Sequence, residues 1–388
     1  MKTATERIGV LREEISAMAR TIHENPELGH EERLAVQLQK ELLERHGFAV
    51  EVGTAGLPTA FTAVYRSGKP GPTLAYLSEY DALPELGHAC GHNLICCVAC
   101  AAGIALKDAV DEYGGEVWVV GAPAEETSGG KVDLAKAGVY DRFDAAMMAH
   151  PHYRYAGSGS LYAIEPLQFE FFGREAHAAA DPENGINALD AAIQTFNGIN
   201  ALRQHLRDDV RIHGIIADGG AAPNIVPGYA CARFYVRSSS TGYLKEVVEK
   251  VKRCAEAGAA AAGATLTITN FENGYDNLMS NSLLSDRSIE HLRGLGVEGD
   301  MSVYDTKGSS DIGDVSQRCP TIHMWFDVTA DPRIGSHTKE FAACAGSDYA
   351  LENTFLQAAA LTLTGEDLLK DPAFLAAVKQ EFEQNLGK

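Results

Sequence analysis

Apolar positions follow two textures along the chain. Before residue 160, short unbroken apolar runs alternate with helical patterns. The runs are TLAYL (Thr73 to Leu77), VWVVGA (Val117 to Ala122) and AAMMA (Ala145 to Ala149). Runs without alternation read as strands buried on both faces. With helices between them, they predict an α/β domain with a mainly parallel sheet and helices on both faces. The texture then changes. LQFEFFG (Leu167 to Gly173) alternates as a half-exposed strand does. A helical pattern over Asn187 to His205 follows, then strand-like VRIHGII (Val210 to Ile216) and YACARFYVRS (Tyr229 to Ser238). The helical stretch TGYLKEVVEKVKRCAEAGAAAAG precedes strand-like ATLTITNF (Ala264 to Phe271). This β-α-β-β-α-β order is the split, ferredoxin-like unit. It predicts an inserted domain over 165–276 within a domain formed by 1–164 and 277–388. The first texture returns in CPTIHMWF (Cys319 to Phe326), and two helices finish the chain.

Composition narrows the classes. Asp plus Glu is 53 and Lys plus Arg is 33, a net charge of −20. So acidic a surface disfavours nucleic acids and anionic membranes as partners and weakly favours cationic ligands. No uncharged apolar stretch of about 18 residues stands out, so no membrane span is expected. The opening MKTATERIGVLREEISAMAR reads as an amphipathic helix rather than an export signal. Eight cysteines without such a signal point to a reducing cytoplasm. Cys96, Cys97 and Cys100 sit in LICCVACAAGIAL, a buried-helix pattern in which cysteine serves as a small hydrophobe. A redox or metal store is the other reading of these three.

In open parallel sheets, ligands gather past the carboxyl ends of strands. Asp81 follows the first run, Glu125 and Glu126 the second, and His150-Pro151-His152 the third; Gly335-Ser336-His337 lies beyond the last. Between the first two lies Gly87-His88-Ala89-Cys90-Gly91-His92-Asn93, at the expected start of a helix. Singly, each is as well explained by packing or solvation. Five such places bearing Cys, His and Glu point to a metal centre. Gly91 lets Cys90 and His92 face one point, and a helix amino terminus favours a thiolate. Glu125 and Glu126 would diverge on a regular strand but can converge in an irregular loop.

At these segments the chain resembles the dinuclear-metal aminoacylase and carboxypeptidase family, peptidase family M20, in its cysteine-using amidohydrolase branch. SEYDALPELGHACGHNL, GAPAEETSGGKVDL, FDAAMMAHPH, GREAHAAADPENGINALDA, HGIIADGGAAPNIVP and GSHTKEF carry the resemblance in the family's order. It implies that Cys90, His92, Glu126, His150 and His337 hold two divalent ions per subunit. Zinc is favoured, with manganese or cobalt as alternatives. Glu125 would be the general acid and base, and Asp81 a carboxylate that orients the site. Many members carry a ligating His two residues before the Asp matching Asp81; Glu79 stands here and is taken as a non-ligand. His177 would act as oxyanion donor at the site of the partner in a homodimer formed through the inserted domain. Asn224 and Arg237 would grip a substrate carboxylate, with Gly308, Ser309, Ser310 and Asp311 along the pocket wall.

The implied reaction is hydrolysis of an amide beside a free carboxylate, in dipeptides or N-acyl amino acids. A dipeptide with a C-terminal basic residue is the leading substrate. An aminobenzoyl-glutamate-type or other N-acyl amino acid is the alternative. A non-catalytic ligand-binding relative is the reading from another class, although every expected ligand and the base are present.

Overall fold

Each apolar run becomes a buried strand: three lie inside the large sheet and CPTIHMWF forms its last strand. The computed structural model describes residues 2–386 and forms two compact units. The first takes the chain up to Ser160, then Leu278–Thr306, then everything from Ser310; the second takes Leu161–Asn277 with Lys307–Ser309.

The first unit opens with α1 (Ala4–Glu24) and α2 (Arg33–Arg45). A capping box starts α1: Thr3 accepts from the Glu6 N–H and the Glu6 carboxylate returns to the Thr3 N–H. Next come β1 (Ala49–Val52), β2 (Phe61–Arg66), β3 (Thr73–Ser78), α3 (His92–Tyr113), β4 (Glu116–Gly121), α4 (Gly130–Lys136), β5 (Ala145–His152) and the short β6 (Gly157–Ser158). The second unit contributes β7 (Ala163–Phe172), α5 (Ala188–Leu202), β8 (Arg211–Asp218), β9 (Tyr229–Ser238), α6 (Thr241–Ala262) and β10 (Thr265–Thr269). The chain then returns through α7 (Ser282–Gly294), β11 (Val303–Tyr304), α8 (Ile312–Ser316), β12 (Thr321–Asp327), α9 (Lys339–Ala345), α10 (Asp348–Lys370) and α11 (Pro372–Leu386).

The large sheet has the order β1-β2-β4-β3-β5-β12. The β4-β3-β5-β12 part is parallel, as the unbroken runs imply, whereas β1 and β2 add an antiparallel edge. The exposed AVEV of β1 gives no such run, so that edge is not legible in the apolar pattern. One expectation is corrected. His150, Pro151 and His152 do not lie past a strand end, because pairing of β5 with β12 continues to His152↔Asp327. Helix α3 forms the centre of the core, buried without a break from His92 to Leu106. By length and composition alone it could cross a membrane, contrary to the expectation from the sequence, but most of it is packed inside this unit. Cys96, Cys97 and Cys100 are fully buried on it and lie among its core residues.

The second unit is a four-stranded antiparallel sheet, order β10-β7-β9-β8. Alternate residues Leu167, Phe169 and Phe171 of β7 and Ala232, Phe234 and Val236 of β9 share a core with Ala188 and Ala192 of α5 and Val247 and Val251 of α6. Strand β8 is an edge, and its Ile215 and Ile216 are exposed.

Candidate metal and catalytic centre

The turn before α3 brings Cys90 and His92 to one point. Gly91 has φ +79°, and a Cβ there would stand 2.7 Å from a Pro151 side-chain carbon. A side chain would therefore push the turn away from β5 and from His150. Cys90 Sγ lies 3.4 Å from His150 Nε2. His150 Nδ1 donates to the Pro151 carbonyl at 2.8 Å, which fixes a tautomer with the lone pair on Nε2, toward Cys90. Burial, then the neighbouring His92, lowers His150 to about 4, so it is a neutral ring.

His92 is held by Asp81, just past β3. His92 Nδ1 donates to Asp81 Oδ1 at 2.9 Å, and the Glu126 backbone N–H donates to Asp81 Oδ2 at 3.0 Å. Both side chains are buried. His92 Nε2 has no hydrogen-bond partner; it faces Glu79 Oε2 at 3.6 Å and Glu126 Oε1 at 3.9 Å. Burial alone would lower the His92 pKa, but Asp81 and Cys90 push it well above its ordinary value. Burial would raise Asp81, yet the His92 ring and the two hydrogen bonds hold it below its usual range.

Glu125 and Glu126 follow β4 in a turn where Ala124 takes φ +59°. That left-handed residue bends the chain so that adjacent carboxylates reach one neighbourhood. Each of His92, Glu125 and Glu126 offers a ligand atom within 4.8 Å of the others. Cys90, His92 and His150 form a second such set and Cys90, Glu126 and His337 a third. His337 has φ +66°, donates its backbone N–H to the Ala89 carbonyl and sets Nε2 at 3.3 Å from Glu126 Oε1. Two non-glycine residues with positive φ thus adjoin the same cluster, where such strain commonly serves function. The cluster grades from fully buried His92 to exposed His337. Glu125 is half-buried, and burial together with Glu79, Glu126 and Asp311 raises its pKa well above the carboxylate range.

One part of this centre leaves no motif in the sequence. Lys131, Glu79 and Asp311 meet in full burial, with Lys131 Nζ bonded to Glu79 and, at 2.6 Å, to Asp311 Oδ1. The three positions are far apart in sequence; a lone Lys at the start of the apolar KVDLA segment was the available signal.

In the second unit, His177 and Asn224 are exposed neighbours. Residue 177 bridges Ile225, and the Ala178 N–H donates to the Asn224 carbonyl. His177 Nδ1 accepts from the Ala179 and Ala180 N–H groups at 3.2 and 3.0 Å, so its proton sits on Nε2, a free donor. Arg237 donates to Ser309 Oγ at 3.0 Å, beside Gly308, whose carbonyl accepts from the Tyr162 N–H. Arg237 lies eight residues along β9 from Tyr229, about 26 Å of strand. Asn224 lies in the loop before Tyr229, at the opposite end of that strand from Arg237.

Residues 167–263 match the peptidase dimerisation domain of the M20 group. Over 400 residues the chain is 37% identical to the Xaa-Arg dipeptidase of Mus musculus, covering 99% of this chain and 92% of that protein. The chain belongs to the M20 peptidase family. It is also 33% identical to one of the subunits of the p-aminobenzoyl-glutamate hydrolase of Escherichia coli (strain K12), over 72% of this chain and 61% of that one. The fold matches a putative aminohydrolase from methicillin-resistant Staphylococcus aureus with TM-score 0.80 at 19% identity, over 94% of this chain and 99% of that one. As an M20 member the chain is a metal-dependent hydrolase. The donor chemistry fits divalent cations. A thiol, imidazoles and a carboxylate converge, and the buried His92 Nε2 has no hydrogen-bond partner.

Proposed function

We propose that this M20 hydrolase cleaves the amide bond next to a free carboxylate in dipeptides or N-acyl amino acids. Cys90, His92, Glu126, His150 and His337 would hold two divalent cations. The observation that carries this is the pair of donor sets sharing Cys90, with Glu125 set against His92 and Glu126. Bound divalent cations supply Lewis acidity and bring the pKa of a water from 15.7 toward about 7. Glu125 takes the water's proton and returns it to the leaving nitrogen. A carboxylate whose pKa is raised by its surroundings suits that exchange. Asp81 keeps the His92 proton on Nδ1, so Nε2 stays a ligand.

His177, with its proton on Nε2, is proposed as the oxyanion donor, delivered with Asn224 to the centre of a second copy. Support for a homodimer comes from the dimerisation-domain match and from the β8 edge with exposed Ile215 and Ile216. Arg237, steadied by Ser309 beside Gly308, offers a planar fork for the substrate carboxylate. A dipeptide ending in a basic residue is the favoured substrate, on the 37% identity to a protein named Xaa-Arg dipeptidase and the net charge of −20. An N-acyl amino acid of the aminobenzoyl-glutamate type is the second reading. Thiolate and imidazole donors favour zinc, and the carboxylates admit manganese or cobalt. The free cysteines suit a cytoplasmic setting.

The test is Glu125→Gln with a screen of dipeptides and N-acyl amino acids. The variant should keep its metal and lose about 10²–10⁴ in kcat. Full activity would remove Glu125 from its role.

A further inference from the structure

The oxygen-rich end of the centre already contains a cation. Glu79, Glu125 and Asp311 each offer an oxygen within 4.8 Å of the others, a trio fit for a hard divalent ion. Into that trio projects the Lys131 ammonium, with no exposed surface, bonded to Glu79 Oε1 and to Asp311 Oδ1 at 2.6 Å. The Lys131 backbone N–H donates to the other oxygen, Asp311 Oδ2, at 2.9 Å. Asp311 is thereby gripped at both ends by one residue. Glu79 keeps Oε2 buried, without a hydrogen bond, and directed at His92 Nε2 from 3.6 Å. A carboxylate oxygen so placed could reach a cation held by His92, but its other oxygen is tied to Lys131.

The backbone fixes the ammonium in place. Gly129 has φ +72°, and a Cβ on Gly130 would stand 2.3 Å from the Pro123 carbonyl. The Gly129 and Gly130 N–H groups donate to the Ala124 and Pro123 carbonyls. The same turn that presents Glu125 and Glu126 therefore starts α4 and delivers Lys131. Desolvating an ammonium is costly, and close carboxylates offset that cost. Burial would lower the Lys131 pKa, but Asp311, Glu79 and Glu125 hold it well above its ordinary value.

We propose that Lys131 is a positioning residue that acts as a resident cation: it occupies the Glu79–Asp311 end and so confines divalent ions to the Cys90, His92, His150, Glu126 and His337 end. This rests on the five-ligand reading given under the proposed function. It also accounts for Glu79, a buried carboxylate beside His92 that the reaction itself does not use.

The test compares wild type, Lys131→Met and Lys131→Met/Asp311→Asn. Each is loaded with Mn²⁺ or Co²⁺, and metal is counted by elemental analysis alongside the Co²⁺ electronic spectrum and thermal unfolding. Lys131→Met should take one more Mn²⁺ per subunit than wild type. Its Tm should rise on adding Mn²⁺ by more than the wild type's does, because an ion now replaces the ammonium. The double variant, with one carboxylate fewer, should return to the wild-type count. Two results would overturn the proposal. One is Lys131→Met with the wild-type count and an unchanged cobalt spectrum. The other is Lys131→Met unfolded at every Mn²⁺ concentration while the double variant folds with wild-type spectrum and activity, which would make Lys131 only a charge balance. Wild type without stoichiometric metal would instead sink the five-ligand reading.

Discussion

Replacing Asp81 by Asn tests the centre through one atom. The two Asp81 oxygens accept from His92 Nδ1 at 2.9 Å and from the Glu126 N–H at 3.0 Å. An amide has one acceptor oxygen, so one donor loses its partner. If the oxygen stays with the Glu126 N–H, the amide NH₂ faces His92 Nδ1, and the ring proton must move to Nε2, the atom the metal needs. If it stays with His92, the NH₂ opposes the Glu126 N–H and displaces a second proposed ligand. Losing a hydrogen bond to a charged group costs about 1.5–3 kcal/mol, or about 10–150-fold in an equilibrium constant. Loss of a carboxylate that orients a ligating histidine commonly weakens metal binding by about 10–100-fold. Asp81→Asn should therefore bind Zn²⁺ about 10–100-fold more weakly in a chelator competition, with its fold intact by circular dichroism. Affinity within about twofold of wild type would refute the reasoning.

The same geometry sets further expectations. His177→Ala should lose about 10²–10³ in kcat with metal content unchanged; equal kcat would exclude an oxyanion role. Metal affinity should rise with pH, because burial raises the Cys90 thiol and Asp81 and Cys90 raise His92, so both must shed protons to bind. About a tenfold gain per unit for each proton released, so up to about a hundredfold per unit with both, is expected from pH 6 to 8, and a flat profile would contradict it. Asp367 on α10 accepts from Arg287, His291 and Lys370; burial would raise its pKa, but these bonds hold it well below the usual carboxylate range. Its stabilising contribution is present above the unfolded value and is lost as pH falls. Allowing for solvent-facing partners, Asp367→Asn should cost about 1–2 kcal/mol at pH 7 and progressively less as pH falls below about 4 by urea unfolding; a cost that does not fall with pH would be inconsistent.

The parallel strands were legible because burial on both faces demands unbroken apolar runs, and the second unit because its strands alternate. Strand ends were less so. His150 and Pro151 end the apolar run at Ala149, yet pairing with β12 carries β5 on through His152. The meeting of metal-competent groups was legible where they cluster in motifs, at Cys90 with His92 and at Glu125 with Glu126. The Lys131 triad was not, because it joins a helix start, a strand exit and a loop whose proximity only the fold creates. Likewise, the roles expected for Asn224 and Arg237 gave no hint that one precedes β9 and the other sits near its far end.

Crystals soaked in zinc and measured on either side of its absorption edge put the central assignment to the test most directly. Two anomalous peaks should appear per subunit, about 2.3 Å from Cys90 Sγ and about 2.0–2.2 Å from ligand atoms of His92, His150, Glu126 and His337. Peaks bound instead to Glu79 and Asp311, or none near Cys90, would contradict it.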